Sequence, residues 1–89
     1  MNPSDLGQLM AKAKEAQAKM AELQRELALR QVEGSAGGGM VTAVATGELR
    51  ILSIEIEPSL LASGDHQMLQ DLTAAAVNAA LTNAQKLVQ

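Results

Sequence analysis

Leu6, Leu9, Ala13, Ala16, Met20, Leu23 and Leu27 recur at alternating steps of three and four residues. That spacing is a heptad a/d seam, and it holds for three heptads until Arg30 takes the next slot. Asn2 is placed to cap the start, Pro3 suits the first helical position, and Asp5 sets a carboxylate beside the free N–H groups of the first turn. Glu15 with Lys19 and Glu26 with Arg30 form favourable pairs four residues apart. The pattern predicts one straight helix from Pro3 to Arg30, roughly 40 Å long at about 1.5 Å per residue. In a chain of 89 residues such a helix outruns any core the remainder can build. Part of it must project into solvent or pack on another helix.

After Arg30 the period changes. Gln31 to Ser35 is a short candidate strand, Met40 to Thr46 is apolar and β-branched, and Leu52, Ile54 and Ile56 alternate with Ser53, Glu55 and Glu57. The last of these reads as a half-buried strand with one wet face. Thr46-Gly47 marks a turn, and Pro58, which cannot donate to a ladder, closes the sheet. Tight glycine turns between consecutive short strands favour an antiparallel meander. A second helix follows, capped by Asp65 or Ser63 and running to about Val88, with Met68, Leu69, Leu72, Ala76, Leu81 and Leu87 on its apolar surface. Its segment AAAVNAAL, residues 74 to 81, is built of small side chains that allow close approach to the sheet or to a partner helix. The expected fold is α+β in the order α-β-β-β-α, a single domain over residues 1 to 89.

The stretch EGSAGGGMV, residues 33 to 41, tests for phosphate chemistry, because Gly34 and Gly39 have the spacing of a phosphate-binding loop. Such a loop needs lysine and then Ser or Thr after its second glycine, and Met40 and Val41 stand there instead. It should also open a helix, whereas this one opens a strand. The dinucleotide pattern fails as well, since Thr42 occupies the place of the third glycine. A hairpin loop with glycines at positive φ is the better account. His66, the single histidine, sits beside Asp65 near a helix start and lacks the three or four clustered ligands a metal site wants. Glu55 and Glu57 share a strand face where acid–base work is conceivable, but a solvated outer face explains them without chemistry. No enzyme, metal or cofactor is expected, and no small-molecule substrate.

Binding is the remaining class. Hydrophobic residues make up 47% of the chain, sixteen of them alanine, with no aromatic residue and no cysteine. So thin a core favours oligomerisation, and a homodimer is expected. The start MNPSDLGQLM lacks a basic segment and apolar run, and no stretch approaches the roughly 20 apolar residues that span a bilayer. The expectation is a cytoplasmic chain without membrane contact. The net charge of −3 argues against a nucleic-acid binder taken as a whole. It conceals an uneven distribution, however. Lys12, Lys14, Lys19, Arg25 and Arg30 belong to the first helix, Lys86 to the second, and Arg50 alone to the sheet. From composition alone, simple solvation of a helix surface is the favoured explanation.

Two segments carry a resemblance: VEGSAGGGMVTAVATGELRILSIEIEPSLL, residues 32 to 61, and MLQDLTAAAVNAAL, residues 68 to 81. In their order they closely resemble the YbaB/EbfC family of bacterial nucleoid-associated proteins, and the resemblance covers nearly the whole chain, the Gln- and Lys-containing first helix included. The resemblance implies a tweezer-like homodimer with a central body of sheets and projecting helical arms. It implies binding of double-stranded DNA with little sequence preference, a nucleoid-associated location, and a part in nucleoid organisation and gene regulation, with a link to DNA repair as a further implication. Relatives often carry lysine where this chain has Thr42. Lys12, Lys14, Lys19 and Arg25 are the expected phosphate contacts, with Arg30 and Lys86 secondary. Val41, Val44, Leu52, Ile54 and Ile56 are the expected dimer interface. The competing expectation is a protein-interaction module that grips a partner's helices through the seam.

Overall fold

The computed structural model describes residues 2 to 87. Its elements are α1 (Pro3–Leu29), β1 (Gln31–Ala36), β2 (Val41–Thr46), β3 (Ile51–Ile56), α2 (Pro58–Ala62) and α3 (His66–Lys86). The three strands form one antiparallel sheet in the order β1-β2-β3, so the expected α+β meander between two long helices is the observed fold.

The helix boundaries follow from caps. The Asn2 side chain accepts from the Ser4 N–H and Pro3 opens α1. Asp65, one of the two expected caps, accepts from the Met68 N–H at 3.0 Å and starts α3. The strand periodicity breaks at Ile51: the ladder runs Val44 to Ser53 and then Ala45 to Ile51, which leaves Leu52 as the extra residue of a bulge. Sequence reasoning ended the sheet at Pro58 without assigning α2. Proline is favoured at the first helical position, and here it opens a short helix that buries Leu60 beneath the sheet and α3. The expected extension of α3 to Val88 lies outside the described residues.

The core is thin, as the composition requires. Val41, Ala43 and Ala45 of β2, Leu60 of α2, and Ala76, Ala80 and Ala84 of α3 are its buried hydrophobic residues. The three α3 alanines fall every fourth residue, on one face, and carry the helix directly over β1 and β2. A Cβ at Gly34 would overlap the backbone of Ala79 and Ala80, so β1 and α3 meet backbone to backbone. The small-residue segment thus lies against the sheet, one of the two placements expected for it.

No residue of α1 is buried. The described chain measures 75 × 17 × 15 Å and has a radius of gyration of 21.2 Å. A compact chain of this length would have a radius of about 12 Å. The excess is α1, which stands off the body as a free arm. It is held at its base, where the Gly47 N–H donates to the Arg30 carbonyl at 3.1 Å. A side chain at Gly47 would strike the Leu27 carbonyl, so glycine is required at that joint.

Candidate nucleic-acid interface

A helix with no core to bury its face must stand on its own propensity. α1 does so through Ala, Lys, Glu, Gln and Leu, all strong helix formers, and through the Lys19–Glu15 ion pair at 3.9 Å. That is the one ion pair among the described residues. Glu26 and Arg30, the second expected pair, do not form one, because Arg30 has left the helix for an extended conformation at φ −68° and ψ 134°.

With the seam at heptad positions a and d, the charged residues of α1 sort into two groups. Asp5, Lys12, Lys19 and Glu26 occupy g, and Glu15 and Glu22 occupy c, on the neighbouring flank. Lys14 at b and Arg25 at f lie on the remaining face, which holds no acid. The four cations expected to contact DNA are therefore not equivalent. Lys12 and Lys19 are interleaved with all four acids of the helix, and Lys19 is already paired with Glu15. Lys14 and Arg25, about 16 Å apart along the axis, are exposed and make no ion pair among the described residues, with Glu22 one turn before Arg25 on the adjoining flank.

Arg30 caps α1 and is exposed, with its carbonyl tied to Gly47. Lys86 ends α3 and is exposed. The Asn83 side chain donates to the Glu33 carbonyl of β1 at 2.8 Å, which aligns the last turns of α3 with the start of β1. Arg30 and Lys86 thus share the end of the body from which the arm emerges. Arg50, in the β2–β3 turn beside Gly47, belongs to the same end, and its carbonyl accepts from the Thr46 N–H. Sequence reasoning left Arg50 aside as a lone sheet residue. Its signal was the turn pair Thr46-Gly47, which returns the chain to the arm's base.

The five expected dimer-interface residues do not form one surface. Strand alternation puts Val41 on the α3 side of the sheet and Val44 on the other side. Val41 has no exposed surface and is packed into the protomer's own core. Leu52 and Ile54 are 51% and 41% exposed, because α3 covers β1 and β2 and leaves β3 open. Ile56 joins Leu69, Thr73, Ala74 and Val77 in lining an apolar groove between β3 and α3.

The Gly37–Gly39 turn has φ values of 65°, 68° and 95° and delivers the chain straight into β2. It is the expected hairpin loop. Among the described residues no group of three His, Asp or Glu side chains is placed to hold a metal, and no helix is long and apolar enough to cross a membrane.

The YbaB/EbfC DNA-binding family model matches residues 1 to 89. The chain belongs to this family. It is 46% identical over 83 residues to nucleoid-associated protein DP1429 of Desulfotalea psychrophila, an alignment covering 93% of this chain and 78% of that one. It is 44% identical over 88 residues to a nucleoid-associated protein of Pelotomaculum thermopropionicum, covering 99% and 84%. Its fold is similar to the crystal structure of the uncharacterized protein HP0035 from Helicobacter pylori, with a TM-score of 0.67 at 24% identity, covering 97% of this chain and 87% of that one. The match runs over the whole chain, arm included, as the resemblance implied.

Proposed function

We propose that this protein is a nucleoid-associated, cytoplasmic protein that binds duplex DNA as a homodimer, with little sequence preference, and thereby influences nucleoid organisation and gene regulation. The observation that carries the reading is the acid-free face of Lys14 and Arg25 on a free-standing helix, in a member of a DNA-binding family. Long basic side chains on a projecting arm reach phosphates, which supply affinity without a sequence code. The absence of aromatic residues removes base stacking, the usual grip on single strands. Arg30, Arg50 and Lys86 add cations where the arm meets the body, while the acids of the sheet keep the rest of the surface off the DNA.

The self-contact falls on the open half of the sheet. Leu52 and Ile54 beside the Ile56–Leu69–Val77 groove present contiguous apolar surface to a second copy. Ile54→Glu should give a monomer by light scattering, with a thermal midpoint that is lower and no longer depends on protein concentration. A dimer of unaltered mass would remove this face from the interface.

Titration of a DNA duplex over a salt series tests the main reading. Log K should fall linearly with log salt, by about 0.9 for each phosphate neutralised. Lys14→Gln with Arg25→Gln should flatten that slope more than Lys12→Gln with Lys19→Gln. No binding at low salt would refute the DNA reading. It would favour the second reading, a protein-interaction module using the exposed seam.

A further inference from the structure

The seam of α1 is an apolar stripe that nothing in the protomer covers beyond its base at Leu27. Leu6, Leu9, Met20 and Leu23 are between 49% and 61% exposed, in a helix with no buried residue. An apolar stripe of this length on a solvated arm calls for a partner surface. We propose that this partner is the α1 of a second copy, parallel and in register, so that the two arms of the homodimer close into a short coiled coil. The inference deepens the homodimer reading above and does not depend on DNA binding.

Charge selects both occupant and direction. In a parallel pair, each g residue faces the e residue five positions on in the other helix. Lys12 then meets Gln17 and Lys19 meets Gln24, while Asp5 meets Met10. No like charges come together. In a fully overlapping antiparallel pair, g faces g, which brings Lys12 against Lys19 and Asp5 against Glu26, at both ends of the contact. Four like-charge contacts oppose that arrangement. A parallel pair also stacks matching residues: Leu6, Leu9, Met20, Leu23 and Leu27 form large layers around two small ones at Ala13 and Ala16. The alanine layers bury little surface, so the closure is weak enough to be reversible.

The rest of the molecule accommodates this. α1 is joined to β1 by Arg30 alone, and its base touches the body through Leu27 and Ala28 against Gly47, so the arm can turn toward its twin. Lys14 at b and Arg25 at f point away from the seam, so a closed pair still displays the basic face of both arms.

Because the chain has no cysteine, single substitutions report the contact cleanly. Met20→Cys and Ala13→Cys place thiols at a positions, and Ala18→Cys at f serves as the outer control. All three sites are exposed in the protomer, so the variants fold. In a glutathione redox buffer, the a-position variants should form the symmetric disulfide at least about tenfold more readily than the control, since pairing raises the effective thiol concentration. Equal yields at positions 18 and 20, or none at 13 and 20, would overturn the proposal. So would a mixture of Leu9→Cys and Met20→Cys chains that gave mainly the mixed disulfide, the mark of antiparallel pairing. Light scattering on the unsubstituted chain separates the two readings. A dimer without the position-20 disulfide refutes arm closure alone, and a monomer refutes both.

Discussion

α1 and α3 are both long, alanine-rich and amphipathic, yet one buries nothing and the other carries much of the core. The difference lies in which residues stand at the helical repeat. α3 presents Ala76, Ala80 and Ala84 every fourth residue, small enough for its backbone to settle on β1 at Gly34. α1 presents Leu6, Leu9, Met20, Leu23 and Leu27 around Ala13 and Ala16 at alternating threes and fours, a pattern that suits a second helix and not a flat sheet. Small residues at every fourth position bring a helix to a sheet; a heptad seam dominated by large ones does not.

The sharpest break in this comparison is Gly34→Val. The α3 backbone cannot yield to a new side chain there, so the body should lose about 3 kcal/mol or more, read as a lower urea midpoint. A mild effect would mean that α3 is not anchored by that contact. The matching change in the arm is Gln17→Pro, which removes about 3 kcal/mol of helix stability at its site. It should lower the helical circular dichroism signal while leaving the body's urea midpoint in place. A midpoint that fell with it would show the two regions to be one cooperative unit. Asn83→Ala deletes the bond to the Glu33 carbonyl and should cost the body about 1 kcal/mol, again by urea unfolding. The smallest effect belongs to Leu49, a non-glycine residue at φ 65° in the β2–β3 turn. Leu49→Gly should raise body stability by about 0.5 kcal/mol, left-handed strain being relieved at some cost in chain entropy.

What the sequence disclosed follows the same division. The arm was legible because its heptads, its N-cap and the Glu15–Lys19 pair are local, and its length showed that it must project into solvent or pack on another helix. The strands were legible from alternation and glycine turns, and the small-residue run of α3 pointed to a close approach. Other features were less legible, for different reasons. The Leu52 bulge is set by register against Val44 and Ala45. That Val41 and Val44 lie on opposite faces follows from strand alternation and was available in the sequence; only the choice of Val41's face for the core depends on the side α3 takes. α2 was hidden because Pro58 serves equally as a strand stop and a helix start. The inequality of the four arm cations was available from heptad position alone. Reading Lys12, Lys14, Lys19 and Arg25 as one set overlooked the acids that share their flank.

The single-residue link at Arg30 turns α1 into a lever. With an arm roughly 40 Å long, a rotation of about 10° at its root displaces the tip by roughly 7 Å, more than half the width of a major groove at about 12 Å. The hydrogen bond from Gly47 to Arg30 sits at the fulcrum, where small forces at the root become large excursions at the end. Gly47 thus governs the sweep of the arm's tip, although it lies at the opposite end of the helix.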